Sequence, residues 1–89
     1  MITFDPAKDK SNETKHGVSL AEVKFMEWSE ALIWQDCRRD YGEVRRIALA
    51  PIGDRLYCCV YTERNGDKRI ISLRKANRRE FDSYAEIID

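Results

Sequence analysis

The sequence predicts an α+β fold, with helices packed on an antiparallel sheet, and three observations lead to this prediction. Apolar, strand-like runs cluster in residues 44–75, and the Asn65-Gly66 pair between two of them is typical of a hairpin turn. Helix-start signals lie on both sides of this region, at Asp5-Pro6 and near Asn77. The 89 residues are 43% hydrophobic and show no repeat or linker, so we expect one domain over residues 1–89.

The first third of the chain is predicted to hold a short strand and two helices. An apolar start precedes Asp5-Pro6, after which a helix should run to about Lys15 and end at Gly17. A second helix should begin after Ser19, which is placed to form a capping box with Glu22, and should end near residues 28–30. The inner stripe of the first helix is weak and consists of Ala7, Ser11, Thr14 and the following Val18.

Strands follow in the sequence, and a last helix closes the chain. Residues 32–34 are interpreted as an extended segment that leads into a loop. Three strands at residues 44–50, 55–63 and 69–75 should form an antiparallel meander. The last helix should begin near Asn77, with Glu80 at the reciprocal capping position. The expected order is a short N-terminal strand, two helices, the three-stranded meander and a C-terminal helix.

Basic residues are concentrated near the C-terminus, although the 16 Lys and Arg are balanced by 16 Asp and Glu overall. Between Arg64 and Arg79 there are seven Lys or Arg and one acid, Asp67. Such a patch is typical of a site for phosphate groups, as in nucleic-acid binding. A solvated charged face is the alternative interpretation.

Composition also bears on compartment and metal content. No apolar run approaches the roughly twenty residues that a membrane span needs, and the N-terminus lacks a signal-peptide pattern, so we expect a cytoplasmic protein. Cys58 and Cys59 should point to opposite faces of a strand, and Cys37 has no Cys or His at ligand spacing. We therefore expect neither a metal site nor a disulfide.

Three groups of residues, taken together and in order, resemble the BrnT family of bacterial type II toxins. The first is FDPAK at residues 4–8, Asn12, and KHGVS at residues 15–19. The second is RRDYGEVR at residues 38–45. The third is VYTER at residues 60–64 with RIISLRKANRRE at residues 69–80. The resemblance covers nearly the whole chain, and it is the ordered set that makes it specific.

The resemblance implies a RelE-like fold and a small ribonuclease that cleaves RNA without a metal ion or other cofactor. It also implies a protein partner, a BrnA-like antitoxin with a ribbon-helix-helix DNA-binding part. Toxin and antitoxin would form a hetero-oligomer that reaches its DNA operator through the antitoxin. We expect the antitoxin to cover the basic corner at residues 64–79, because a positive surface favours a partly electrostatic partner.

Metal-free RNA cleavage uses the 2′-hydroxyl of the substrate as the nucleophile, and the protein must move protons and stabilise a pentacovalent phosphate. His16, the single histidine, could exchange a proton or could only end a helix. Strict alternation would place Arg74 with Ile70 and Ser72 on the open face of a strand, so Arg74 is the best candidate for a phosphate clamp. The same alternation puts Arg69, Ile71, Leu73 and Lys75 on the other face.

The remaining candidates depend on position or on the resemblance. Arg64 is included on the resemblance, and Glu80 is interpreted first as a helix cap. The full set comprises Arg74, Arg64, His16 and Glu80 as catalytic candidates, and Lys15, Arg69, Lys75, Arg78 and Arg79 as RNA or phosphate contacts. Two other functions use the same basic patch: a non-catalytic nucleic-acid-binding module, and a protein-interaction domain that receives an acidic partner.

Overall fold

The computed structural model describes residues 1–88, in which five strands form one mixed sheet with helices on both sides. The strands are β1 (Ile2–Phe4), β2 (Leu32–Gln35), β3 (Arg46–Ile52), β4 (Arg55–Arg64) and β5 (Asp67–Lys75). The α-helices are α1 (Pro6–His16) and α2 (Arg78–Ile88). Across the sheet the strand order is β1-β5-β4-β3-β2.

No helix within residues 1–88 has the length and hydropathy of a membrane span.

The sheet is larger than the sequence predicts. Strands β3, β4 and β5 pair antiparallel in chain order, as expected for residues 44–75. Beyond them, β2 pairs antiparallel with β3, and β1 pairs parallel with β5. The α+β class is confirmed, and the predicted N-terminal strand and the extended segment at residues 32–34 join the three meander strands in one five-stranded sheet. Short apolar segments such as Leu32–Gln35 show their strand character only when a neighbouring strand supplies the hydrogen-bond partners.

The predicted second helix is wrong in type. Two 3₁₀ helices, Leu20–Phe25 and Trp28–Glu30, take its place, and the oxygen of the Ser19 side chain accepts a hydrogen bond from the amide of Ala21. Leu20, Val23 and Met26 are all buried. Their spacing of three residues matches the three residues per turn of a 3₁₀ helix, so this geometry buries all three side chains on one side.

Helix α1 follows its predicted bounds, capped by Asp5 and ended by Gly17 at a φ of 72°. Its predicted inner stripe is wrong, because Ala7, Ser11 and Thr14 are exposed. The buried residue is Asn12, which holds the helix to the sheet through polar contacts. Its Nδ2 donates to the carbonyls of Val18 (2.9 Å) and Leu73 (2.8 Å), and its Oδ1 accepts from the Leu73 amide (3.1 Å).

A β-bulge divides β5. Val60 pairs with Ser72, whereas Tyr61 pairs with Ile70, so Ile71 is an extra residue between the two registers. Ile70 and Leu73 are therefore both buried in the larger core, and the predicted grouping of Ile71 with Leu73 is wrong. Past the bulge, Ser72 and Arg74 lie on the opposite side of the sheet, and the phase change places Arg69 on that side as well.

The two faces of the sheet carry different cores. The larger core lies under the 3₁₀ helices, and a smaller core of Ile47, Leu49 and Cys58 packs with Tyr84 of α2. Asn77 and Glu80 form the predicted capping box at the start of α2. The Glu80 amide donates to Oδ1 of Asn77 (2.8 Å), and the Asn77 amide donates to Oε1 of Glu80 (2.9 Å). The smaller core leaves room beside α2 for a polar cleft.

Candidate functional site

A polar cleft of about 350 Å³ opens on the side of the sheet that carries α2. We call it the α1–β5 cleft, because the C-terminal end of α1 and the second half of β5 form two of its walls. Its lining residues are His16, Arg38, Ile47, Cys58, Val60, Ser72, Arg74 and Glu80. An adjoining depression of about 240 Å³ shares His16 and Ser72 and adds Lys8 and Lys15. Cationic side chains therefore surround one continuous concave surface.

Arg74 is held in the cleft by an ion pair with Glu80. Its Nη1 and Nη2 donate to the two carboxylate oxygens of Glu80, each at 2.8 Å, and Nη1 also reaches the Lys75 carbonyl at 3.2 Å. This two-point ion pair lowers the pKa of the Glu80 carboxyl and raises the pKa of the Arg74 guanidinium. Glu80 is thus charged at neutral pH and fixes the plane of the guanidinium.

His16 lies at the last position of α1 and is exposed to the cleft and to solvent. The hydrogen bond that ends the helix is made by the backbone of Gly17 to the Glu13 carbonyl, at 2.8 Å. Within residues 1–88 the imidazole has no hydrogen-bond partner, so both of its ring nitrogens are available to a ligand in the cleft.

Arg38 is the cleft residue that sequence reasoning missed. It comes from the loop between β2 and β3, and its charge lies close enough to Arg74 to lower the pKa of that guanidinium, against the larger raising effect of Glu80. A sequence signal exists in hindsight. Asp36 lies two residues before Arg38, and Tyr41 lies three residues after it. At this spacing the three side chains can form a local hydrogen-bonded group.

The other predicted cations do not gather in this cleft. Arg64 pairs with Glu43 at 2.9 Å, and Arg78 pairs with Asp82 at 3.1 Å. Arg69 is half-buried before the bulge, on the same side of the sheet as the cleft, but it is not among the lining residues. Lys75 is exposed at the end of β5, paired in register with Tyr57. The basic stretch of residues 64–79 is therefore spread over several surfaces.

Arg79 borders a second feature, an apolar groove of about 400 Å³ between β2 and α2. The groove is lined by Leu32, Ile33, Trp34, Leu49, Arg79, Glu80, Ser83 and Ile87. Because β2 is an edge strand, the backbone of its outer side is open to another chain. Glu80 lines both the groove and the α1–β5 cleft, so the two surfaces are neighbours.

Cys58 lies at the floor of the cleft but is not an activated nucleophile. Burial raises the pKa of its thiol to about 11, so the thiol stays protonated near neutral pH. In the described part of the chain, no three His, Cys, Asp or Glu side chains are grouped so that they could hold a metal ion. The chemistry available in the cleft is that of histidine, arginine, lysine and one paired carboxylate.

One family model matches the chain over most of its length. A family model described as the ribonuclease toxin, BrnT, of a type II toxin-antitoxin system matches residues 4–80. The matched range contains every residue that lines the α1–β5 cleft and ends at Glu80. No curated protein matches the chain.

Proposed function

The chain belongs to the BrnT family of ribonuclease toxins of type II toxin-antitoxin systems, and we propose that it cleaves RNA in the α1–β5 cleft without a metal ion. The observation that carries the proposal is the meeting of His16 with the carboxylate-held guanidinium of Arg74 in one concave site. A proton-exchanging group and a fixed cation are the two parts that metal-free phosphodiester cleavage requires.

The reaction follows from the substrate's own chemistry. The 2′-oxygen attacks the adjacent phosphorus, the bond from phosphorus to the 5′-oxygen breaks, and a 2′,3′-cyclic phosphate forms. One proton leaves the 2′-hydroxyl, and one proton is delivered to the departing 5′-oxygen. Negative charge builds on the non-bridging oxygens in the transition state, so fixed positive groups beside them lower the barrier.

Each cleft residue has a role that its contacts support. Histidine is the side-chain type that exchanges protons between about pH 5 and 8, so His16 performs one of the two proton transfers. Arg74 binds the phosphate through the N–H groups that neither Glu80 nor the Lys75 carbonyl uses. Glu80 is a positioning residue, because its carboxylate is already committed to Arg74 and to the Asn77 amide.

RNA on either side of the scissile phosphate has further cations to contact. Lys8 and Lys15 line the depression that continues from the cleft, where the next backbone phosphate can lie. The other predicted cations do not line the cleft, so we assign them to RNA contacts outside it: Arg64, Arg69, Lys75, Arg78 and Arg79. The positive side chains replace the charge that a metal ion would supply to the phosphate.

The fold and the partner are part of the same proposal. The mixed sheet, in which β2 to β5 pair antiparallel, and the helices on both of its faces support a RelE-like fold. The antitoxin is BrnA-like, with a ribbon-helix-helix DNA-binding part. The groove between β2 and α2 replaces the basic corner at residues 64–79 as the proposed antitoxin site, because folding spreads those cations over several surfaces. From the groove the antitoxin extends to the cleft. Three features support this site: the open edge of β2, the exposed apolar side chains of Ile33 and Trp34, and Arg79 at the rim, which has no ion pair within the described chain.

Purified protein incubated with mixed RNA in excess EDTA tests the activity. We expect cleavage, and we expect its loss when His16 is replaced by Gln. Lys10→Ala is the control, because Lys10 is an exposed cation on the same helix and lines neither surface. A gel shift without cleavage would instead favour the non-catalytic binding module. The absence of both cleavage and a gel shift would favour the protein-interaction domain.

A further inference from the structure

The loop between β2 and β3 presents a second guanidinium to the cleft, that of Arg38. The loop is anchored at its base, where the Asp36 amide donates to the Arg45 carbonyl at 2.7 Å. Two contacts from β4 hold its second half. Thr62 donates through Oγ1 to the Val44 carbonyl at 2.8 Å, and Arg64 pairs with Glu43 at 2.9 Å. These contacts fix the base and the second half of the loop to the sheet.

Asp36 holds Arg38 as Glu80 holds Arg74. Its Oδ1 accepts from Nε of Arg38 at 2.8 Å, and its Oδ2 accepts from Nη2 at 2.7 Å. The Arg38 amide donates to the same carboxylate at 3.1 Å. The Asp36 side chain is fully buried, whereas the Arg38 side chain is 68% exposed. These hydrogen bonds lower the pKa of the Asp36 carboxyl well below its ordinary value, so the pair stays charged.

Tyr41 completes the group behind Arg38. Its hydroxyl donates to Oδ2 of Asp36 at 3.0 Å, and the guanidinium of Arg45 lies over its ring at 4.1 Å. Burying a carboxylate is costly unless hydrogen bonds replace the water it loses, and here four donors from Arg38 and Tyr41 do so. An ordinary surface arginine does not need a buried carboxylate and a tyrosine to hold it. This group of hydrogen bonds is what an arginine with a fixed direction requires.

We propose that Arg38 is a second phosphate-binding residue of the cleft, and that Asp36 is the positioning residue that aims it. The proposal rests on the proposed ribonuclease function. Nη1 of Arg38 has no partner in residues 1–88, so it can donate to a non-bridging oxygen. The scissile phosphate has two such oxygens, and two guanidinium groups fixed by separate carboxylates converge on the cleft that would hold it.

Steady-state cleavage of a defined RNA oligonucleotide tests the proposal with a matched pair of variants. Arg38→Ala should lower kcat/KM at least about ten-fold, because a charge-assisted phosphate contact is lost. Arg39→Ala removes the same charge from the neighbouring position, which does not line the cleft. Its kcat/KM should stay within about two-fold of the wild-type value. Arg38→Lys should remain impaired, because an ammonium keeps the charge but not the planar two-point geometry.

Asp36→Asn and Tyr41→Phe test the positioning role. Asp36→Asn should lower kcat more than it raises KM, since the charge of Arg38 stays while its direction is lost. Tyr41→Phe removes one hydrogen bond behind Arg38, and a smaller fall in kcat is expected even if Asp36→Asn folds poorly. Equal activities of the Arg38→Ala and Arg39→Ala variants would overturn the proposal, as would full activity of Arg38→Lys. The ribonuclease function would stand in both cases if His16→Gln is inactive.

Discussion

Arg74 shows what a single residue's contacts add to its place in the sequence. Alternation along the strand selects Arg74 as a phosphate clamp, and the residue does line the cleft, although the bulge at Ile71 changes the phase before it. The alternation assigns Arg74 to the open face of the strand but indicates no partner for its guanidinium. The structure instead shows a guanidinium held by Glu80, so removing it should affect both activity and folding.

Arg74→Ala is expected to lower RNA cleavage about ten-fold or more, because a contact of roughly 1.5–3 kcal/mol to the phosphate is lost. It should also lower the free energy of unfolding by about 1–2 kcal/mol, since Glu80 loses its partner. Arg55→Ala, the loss of an exposed arginine outside the cleft, is the control for charge. Cleavage assays and urea unfolding measure the two effects. Activity within two-fold of the wild type, with the fold intact, would remove Arg74 from the site.

Arg38 marks the limit of sequence reasoning at this scale. The strand pattern ranks residues by alternation, but a loop has no period, so nothing in the pattern says that residue 38 reaches a cleft built by residues 16, 74 and 80. The local group of Asp36, Arg38 and Tyr41 could be suspected from spacing, while its direction depends on contacts with β4 that are distant in sequence.

At the scale of elements, caps and turns were predictable, whereas helix type and strand phase were not. Asp5, Gly17, Asn77 and Glu80 act locally, and each ends or begins its helix as its residue type predicts. The 3₁₀ geometry of Leu20–Phe25 and the bulge in β5 arise from packing between segments. Local sequence preference is too weak to determine such features alone.

Glu80→Gln should destabilise the protein in a pH-dependent way. Gln keeps the capping hydrogen bond to the Asn77 amide, so the variant isolates the ion pair with Arg74. The folded pKa of Glu80 lies below its ordinary 4.5, so its stabilising effect is complete above that value and is lost as pH falls through the folded pKa. Unfolding curves of both proteins from pH 7 to pH 3 should therefore converge.

The matched control for this prediction is Glu86→Gln, which removes a charge from an exposed position of the same helix. Its unfolding free energy should follow that of the wild type at every pH. A stability difference between Glu80→Gln and wild type that stays constant down to pH 3 would contradict the assigned ion pair.

Asn12→Ala should lower the free energy of unfolding by about 2–3 kcal/mol, since two buried hydrogen bonds to Leu73 and a partly buried one to Val18 are lost. Because α1 carries His16, cleavage should fall as well. Chemical denaturation measures the stability, with the exposed Lys10→Ala on the same helix expected to change it by less than about 0.5 kcal/mol. A stable Asn12→Ala variant would mean that α1 is held by other contacts.

The whole molecule places the α1–β5 cleft and the apolar groove, the proposed sites for RNA and for the antitoxin, on one side of a small sheet. Family membership implies a protein antitoxin, and the adjoining surfaces explain how one partner could block RNA access. Sequence composition locates the basic stretch at residues 64–79 but cannot show that folding separates it into a cleft residue, a groove residue and paired surface residues.

Trp34→Ala is expected to weaken antitoxin binding at least about ten-fold, because exposed aromatic side chains often dominate such interfaces. RNA cleavage by the free toxin should not change. Phe25→Ala is the control, since Phe25 is an exposed aromatic outside the groove. Binding is measured by calorimetry with the proposed BrnA-like antitoxin, and association should slow as salt rises. Equal affinities for the two variants would place the antitoxin elsewhere.

The central claim is that the cleft promotes attack by the 2′-hydroxyl of RNA on its own phosphate. The most direct measurement uses one RNA oligonucleotide and a copy with a single 2′-deoxy nucleotide at the cleaved position, each incubated with the purified protein in excess EDTA. The RNA should be cut to a product ending in a 2′,3′-cyclic phosphate, and the deoxy copy should remain intact at that position. Cleavage of both oligonucleotides at the same rate would contradict the account.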